Sequence, residues 1–191
     1  MCGRYYVNSK NPDDGLQAVL RSMEKNYPGQ YKTEEIRPGD PAPALIAREG
    51  KVIPVPARFG FPKEKGSELI INARSETAAE LPTFADGLRE RRILLPATGF
   101  YEWTVRRRVK YPYMFCALKA HCMYFCGIYK VVNGELRFVI MTCPSGPALT
   151  GIHPRQPVIA LEEEVRPYLT DLNEASKIMA APGPELCGGP I

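Results

Sequence analysis

Residues 122–142 read CMYFCGIYKVVNGELRFVIMT, two hydrophobic runs on either side of Asn133-Gly134. Asn-Gly is the dipeptide most strongly associated with a two-residue turn between antiparallel strands, because both residues tolerate a positive φ. The runs at 122–132 and 135–142 are rich in the β-branched and aromatic residues that strands favour. This stretch therefore predicts a long β-hairpin within an antiparallel sheet.

Further strands are predicted on the N-terminal side of the hairpin. Residues 44–61 read as two extended runs around Glu49-Gly50, and residues 93–105 and 111–118 read as strands on either side of a basic turn. Nineteen prolines make the connections irregular, which argues against a doubly wound sheet. The pattern predicts an α+β fold with a mainly antiparallel β core.

Short helices are predicted around this core. The clearest begins at Asn11-Pro12, where a capping residue precedes Pro at the first helical position. Three shorter helices are predicted over 75–81, 83–91 and 162–169. The residues from about 180 onward, ending PGPELCGGPI, are predicted to form a loose tail.

Length and composition limit the class of protein. A chain of 191 residues with 45% hydrophobic content can close one core, so residues 1–191 are predicted to form a single domain. No hydrophobic run reaches the ~18 residues of a membrane span, and the N-terminus lacks signal-peptide features. We therefore expect a cytoplasmic protein that does not contact a membrane, with a net charge of +4 that permits a nucleic-acid partner.

The cysteines are expected to be reduced, because disulfides are rare in the cytosol. A zinc site can be imagined from His121, Cys122, Cys126 and Cys143. Cys122 and Cys126 also alternate with Tyr124 on one face of the predicted strand, which favours buried thiols. We expect neither a metal nor a cofactor.

Cys2 is the candidate nucleophile, because it directly follows Met1 and an initiator methionine is removed when the next side chain is small. Removal would leave a free α-amine beside a thiol, with ordinary pKa values near ~8 and ~8.5. Such an aminothiol condenses with an aldehyde to an imine, which the thiolate closes to a five-membered thiazolidine ring. Position 2 could also hold an incidental small residue, but the downstream motifs favour the reactive interpretation.

Three other stretches carry side chains suited to catalysis. Residues 70–76 read IINARSE and put the polar Asn72 at the end of a hydrophobic run. Glu102 lies among aromatic residues in GFYEW at 99–103, a setting that raises a carboxyl pKa by desolvation, although a solvent-facing acid on a strand is the simpler alternative. His153 lies in a loop before an apolar run, where functional side chains are often presented.

Four motifs occur in order: MCGR at 1–4, NARSE at 72–76, GFYEW at 99–103 and HPRQP at 153–157. Together they resemble the SOS response-associated peptidase family of abasic-site processing proteins, from residue 1 to about 170. The resemblance implies one α+β domain with a barrel-like β core and a positively charged groove for single-stranded DNA. It further implies a thiol autopeptidase that removes its own methionine and then forms a covalent, lyase-like crosslink to abasic sites in DNA repair.

The resemblance also assigns residues. It implies that Cys2 forms the thiazolidine and that Asn72 holds the N-terminus and the sugar. It also implies that Glu102 helps to orient the amine and shuttles protons, and that His153 assists sugar-ring opening and, with Glu102, reversal of the crosslink. The implied DNA contacts are Arg4, Arg74, Phe59, Trp103 and Thr142. The expected partner is single-stranded DNA with abasic sites, bound by a monomer that associates with the nucleoid through the DNA.

Two other functions are compatible with the residues. Cys2 as nucleophile with His153 as base would suit a cysteine peptidase acting on other proteins. Arginine and aromatic residues alone would suit a non-covalent module for single-stranded DNA.

Overall fold

The computed structural model describes residues 2–63 and 66–191. The strands are β1 (Tyr5–Val7), β2 (Glu34–Ile36), β3 (Pro41–Arg48), β4 (Lys51–Phe59), β5 (Phe61–Pro62), β6 (Leu69–Ile70), β7 (Asn72–Arg74), β8 (Arg92–Ala97), β9 (Gly99–Arg106), β10 (Val109–Ala117), β11 (Met123–Val132), β12 (Glu135–Pro144), β13 (Arg155–Pro157), β14 (Ile159–Ala160) and β15 (Leu186–Pro190). The helices are α1 (Asp14–Asn26), α2 (Pro82–Glu90), α3 (Val165–Thr170) and α4 (Leu172–Ala180). The predicted processing of Met1 falls outside the described residues.

The predicted hairpin forms and closes a barrel. Asn133 and Gly134 have φ values of 51° and 79°, and they join β11 to β12 in antiparallel register. From β12 the pairing continues through β4, β3 and β8 and returns to β11, so these five strands make a closed ring. Only the β12–β4 contact in this ring is parallel. The prediction of an α+β fold with a mainly antiparallel, barrel-like core is confirmed.

A second antiparallel sheet lies beside the barrel, with strand order β15-β10-β9-β1-β2. The chain passes from the barrel to this sheet at Thr98, between β8 and β9. Thr98 is fixed there by its backbone N–H, which donates to the carbonyl of Tyr6 at 2.8 Å, and by its hydroxyl, which accepts from the backbone N–H of Asn8 at 3.0 Å. The first strand of the chain is therefore tied to the corner between the two sheets.

An aromatic core joins the sheet to the barrel. Tyr5 on β1 is fully buried and packs edge-on against Phe59 and Phe125, with ring centroids 6.1 and 5.6 Å apart. Phe59 in turn stacks on Phe138 at 4.9 Å. Each such side chain stabilises the fold by about 1.5–3 kcal/mol through burial. The N-terminal strand is thus anchored only three residues after Cys2.

Two helix predictions need correction. The first helix begins at Asp14, because Asn8 accepts the N–H groups of Lys10 and Asn11 in a preceding turn and Asp13 then caps the helix through Leu16. The helix predicted over 75–81 is a run of turns. Its hydrogen bonds mix spacings of three and four residues, and the proline at 82 holds the preceding residue in an extended conformation.

The C-terminal tail prediction also needs correction. Residues Leu186–Pro190 form β15, which pairs with β10 as an edge strand of the second sheet. The predicted helices over 83–91 and 162–169 correspond to α2 and to a 3₁₀ turn that leads into α3, whereas α4 was not predicted. No helix in residues 2–63 and 66–191 has the length and apolarity required to cross a bilayer.

Candidate active site at the N-terminus

Cys2 is buried at the start of the second sheet. It has no exposed surface, and its carbonyl oxygen accepts a hydrogen bond from the side-chain amide of Asn72 at 3.2 Å. Burial raises the pKa of the Cys2 thiol far above its ordinary value, and the negative charge of Glu102 adds to that rise. With Met1 attached, the thiol is therefore protonated and shielded from solvent.

Asn72 is held by the barrel. It begins β7, which pairs in parallel with the middle of β12, and its register partner is Ile140. Its amide nitrogen lies 3.5 Å from the carbonyl of Ile140 in addition to its contact with Cys2. The amide oxygen is buried and has no hydrogen-bond partner within the described part of the chain. An acceptor thus remains available beside the N-terminus.

Glu102 faces the interior from β9. Neighbouring side chains on a strand point to opposite faces, so Glu102 is 2% exposed while Tyr101 and Trp103 lie at the surface. Desolvation raises the pKa of the Glu102 carboxyl, and the nearby His153 offsets part of that rise. A carboxyl group with a raised pKa is suited to donate a proton near neutral pH.

His153 contacts Glu102 from the loop before β13. Its Nδ1 lies 3.8 Å from Oε1 of Glu102. The same nitrogen lies 2.9 Å from the carbonyl oxygen of Arg155 and 3.1 Å from its backbone nitrogen. Nδ1 donates to the carbonyl when it carries a proton and accepts from the N–H when it does not. Nδ1 therefore has a hydrogen-bond partner whether or not it carries a proton.

A charged network fixes the His153 loop. Both terminal nitrogens of Arg155 donate to the carboxylate of Glu76, with Nη2 and Oε2 2.8 Å apart. Nη2 also donates to the carbonyl and hydroxyl oxygens of Thr142, the latter at 3.2 Å. The hydrogen bonds from Arg155 lower the pKa of Glu76 to about 2. This pairing ties the loop to the segment that follows Asn72.

Three of the predicted DNA-contact residues lie at the surface near the N-terminus. The guanidinium of Arg4 stacks over the Trp103 ring at 4.9 Å, next to Tyr101, on the outer face of β9. Arg4 also lies 3.6 Å from Glu35. Arg74 is exposed and, two residues after Asn72 on β7, lies on the same face of that strand.

The other two predicted DNA-contact residues are buried in the structure. Phe59 has no exposed surface, because it points into the barrel and stacks on Phe138. Thr142 is 2% exposed and its oxygens bind Arg155. Phe59 is therefore a core residue, and Thr142 supports the His153 loop.

The chain matches the family described as SOS response associated peptidase (SRAP) over residues 1–185. It belongs to the SRAP family. The SRAP chain is 34% identical over 116 residues to the abasic site processing protein YobE of Bacillus subtilis, and this match covers 58% of the chain but only 53% of YobE. It is 32% identical to YoaM of the same organism, over 91% of the chain and 81% of YoaM.

Other relatives match the SRAP chain over most of its length. The abasic site processing protein YedK of Escherichia coli is 26% identical, over 95% of the chain and 86% of YedK. A solved phage-related protein from Bordetella bronchiseptica superposes with a TM-score of 0.75 and 23% identity, covering 100% of the chain and 94% of that protein. A protein from Bacteroides thetaiotaomicron gives 0.75 and 20%, covering 100% and 92%. The two solved structures support the fold.

Glu76 and Arg155 were not selected as site residues from the sequence of this SRAP chain. Both lie in the motifs NARSE and HPRQP, next to residues that were selected. The two motifs are expected to lie close together, so their opposite charges could have indicated this ion pair. In residues 2–63 and 66–191 the structure brings no three metal-ligating side chains into a group that could hold an ion.

Proposed function

We propose that this SRAP chain processes abasic sites in single-stranded DNA through a covalent Cys2 adduct that forms after Met1 has been removed. The observation that carries the proposal is the meeting of four side chains from separate segments. Asn72 binds the carbonyl of Cys2, Glu102 acts electrostatically on the Cys2 thiol, and His153 contacts Glu102. These are the groups that an aminothiol needs in order to react with a sugar aldehyde.

Removal of Met1 would change the state of the Cys2 thiol. The new α-amine, when protonated, places a positive charge beside the sulfur, and a nearby cation favours the thiolate. Cys2 has no exposed surface in the unprocessed chain, so the reaction also requires its amine and thiol to become accessible. The unprocessed chain is therefore inactive, and processing provides both the amine and access to it.

The proposed reaction starts from an abasic deoxyribose whose ring has opened to an aldehyde at C1′. The α-amine of Cys2 adds to that carbon, and Glu102 gives a proton to the departing hydroxyl so that water leaves and an imine forms. The thiolate then adds to the imine carbon and closes the thiazolidine ring. His153 exchanges protons with Glu102 and with the sugar hydroxyl during ring opening.

The DNA strand is proposed to lie across the surface near the N-terminus. The stacked pair of Arg4 and Trp103 offers a cation and an aromatic face, which together bind phosphate and base without regard to sequence. Arg74 offers a second cation on the Asn72 side. Phosphate contacts of this kind make the affinity dependent on salt concentration.

Adduct formation tests the proposal. Processed protein, with loss of Met1 verified by intact mass, is incubated with a single strand containing one abasic site, heated and run on a denaturing gel. We expect a heat-stable adduct that is absent in Cys2→Ala and reduced to a labile imine in Cys2→Ser. Cys122→Ala, which removes another buried thiol, should leave the adduct unchanged.

The same experiment separates the alternatives. Lack of an adduct with fully processed protein contradicts the proposal. Hydrolysis of an unrelated peptide that depends on Cys2 would instead favour a peptidase. Equal retention of intact and abasic strands, with no dependence on Cys2, would favour a non-covalent binding module.

A further inference from the structure

Two cysteines that are not part of the candidate site face each other on adjacent strands of the second sheet. Cys116 on β10 and Cys187 on β15 are register partners in antiparallel strands, 71 residues apart in the sequence. Their sulfur atoms lie 3.3 Å from each other. Neither residue takes part in the proposed reaction, so this contact needs a separate explanation.

The backbone of the two strands holds the pair at a distance that a disulfide can span. The backbone N–H of Leu118 donates to the carbonyl oxygen of Glu185 at 2.9 Å, and the N–H of Ile191 donates to the carbonyl oxygen of Pro112 at 3.2 Å. In an antiparallel ladder every second register pair is hydrogen-bonded. Cys116 lies two residues from Leu118 and four from Pro112, so Cys116 and Cys187 also form a hydrogen-bonded pair, for which the Cα separation is about 5.5 Å. Disulfides form at Cα separations of roughly 4.4–6.8 Å.

The pair is distinct from the other cysteines. Cys2, Cys122 and Cys126 are buried, and no other two cysteine sulfurs in residues 2–63 and 66–191 are in contact. Cys116 and Cys187 are each partly exposed, so a small reagent can reach them. The family match ends at residue 185, before β15 begins, so Cys187 lies outside the matched region.

We propose that Cys116 and Cys187 form a reversible intramolecular disulfide by exchange with a low-molecular-weight disulfide of the glutathione type. One thiolate attacks the reagent, releases one reagent thiol and leaves a mixed disulfide; the second thiolate then displaces the other reagent thiol. The cysteines lose two protons and two electrons, and the reagent gains both electrons as two thiols. The bond ties the C-terminal strand to the sheet that carries Glu102.

The exchange rate should depend on pH. Burial, followed by the adjacent Cys187 sulfur, raises the pKa of Cys116 above its ordinary value. Only the thiolate attacks, so attack by Cys116 is slow at neutral pH and accelerates as the pH rises toward that pKa.

Peptide mapping after oxidation tests the site without DNA and independently of the proposed function. Reduced protein is treated with oxidised glutathione, alkylated and digested under non-reducing conditions. We expect a mass loss of about 2 Da per disulfide before alkylation and a peptide linking Cys116 to Cys187. The melting temperature should rise by several degrees and return on reduction, because the bond restricts the unfolded chain.

Matched variants decide the result. Cys116→Ser and Cys187→Ser should lose both the linked peptide and the rise in melting temperature, whereas Cys143→Ser, at another partly exposed cysteine, should retain both. A stable glutathione adduct on either cysteine, a bond between two chains, or complete lack of oxidation at equilibrium would overturn the proposal. The serine variants differ from wild type by one atom, so they are expected to fold.

Discussion

Glu102 makes the stability of the fold depend on pH. Its folded-state pKa is raised by desolvation, so the folded chain holds the proton more tightly than the unfolded chain, in which glutamate titrates near ~4.3. The resulting stability is fully present below that unfolded pKa and is lost as the pH rises through the folded pKa. The proposed proton transfer gives such a carboxyl group a use at this position.

We therefore predict that Glu102→Gln raises the melting temperature at pH 7 and flattens its decline between mildly acidic and neutral pH. Adduct formation by the same variant should slow by about 10²-fold or more, the usual contribution of a positioned general acid. Thermal melts across pH and single-turnover adduct assays measure the two effects. The exposed Glu163→Gln is the control, and a lower melting temperature for Glu102→Gln would refute the interpretation.

The four central site residues could be selected from the sequence because each carries a reactive group within a short motif. The roles of Phe59 and Thr142 could not be predicted so well. Both lie on strands whose side chains point alternately to the two faces, and the face that turns inward depends on which strands pair in the barrel. Phe59 turns inward and stacks on Phe138, a residue about 80 positions later in the chain.

At the scale of elements, the loop that carries His153 depends on the ion pair between Glu76 and Arg155. The folded pKa of Glu76 is about 2, against an ordinary 4.5. The pair therefore contributes stability above pH ~4.5 that is lost as the pH falls toward ~2. Since the Glu76 side chain is 45% exposed, the contribution should not exceed about 1 kcal/mol.

We predict that Glu76→Gln reduces the loss of folding stability at acidic pH. The same change should slow adduct formation several-fold, because the His153 loop is held less firmly. Acid titration by circular dichroism and adduct kinetics provide the measurements. Glu80→Gln removes an exposed acid from the same turn and should change neither. An unaltered adduct rate in Glu76→Gln would show that the loop is held by other contacts.

The C-terminal strand depends on a glycine that permits close packing. A Cβ at Gly188 would lie 2.3 Å from the Phe115 ring and 2.6 Å from the carbonyl of Met114, whereas a Cβ at Gly189 meets nothing within 4 Å. We predict that Gly188→Ala displaces β15 and speeds proteolysis at residues 181–185, while Gly189→Ala does not. Equal cleavage of the two variants would contradict the observed packing.

The same strand illustrates why some elements were not predicted. Residues 186–190 read LCGGP, which has low intrinsic strand preference, so only the partner strand β10 makes them extended. The turns at 75–81 have a local cause, the proline at 82 that holds Leu81 extended, and a distant contact as well, because Arg155 binds Glu76. Local patterns indicated the hairpin and most of the barrel strands, whereas these elements also depend on long-range contacts.

For the molecule as a whole, barrel closure brings β7 and the His153 loop next to the N-terminus. Gly127 lies inside this barrel, and a Cβ there would lie 2.6 Å from the carbonyl oxygen of Val139 on the paired strand. We predict that Gly127→Ala destabilises the fold by about 1–3 kcal/mol, with a fall of roughly 2–4 °C in melting temperature per kcal/mol. Gly146→Ala, whose nearest contact would be 3.5 Å away, is the control.

Barrel closure could be expected only from the family resemblance. The step that closes the ring is the parallel contact of β12 with β4, which joins strands about 80 residues apart and has no local sequence signal. A Gly127→Ala protein as stable as wild type would indicate that the ring is looser than its described packing.

The hydrogen bonds that fix the start of the chain have a kinetic consequence. Asn72 holds the carbonyl of Cys2, and the N–H of Tyr101 holds the carbonyl of Arg4 at 2.9 Å. Both bonds lie on the C-terminal side of the bond that joins Met1 to Cys2, so cleavage leaves them intact. The proposed removal of Met1 would therefore release the amine into a frame that folding has already fixed. Once the sugar aldehyde is bound as well, reacting groups that are both held in position reach effective molarities of up to roughly 10⁵–10⁸ M.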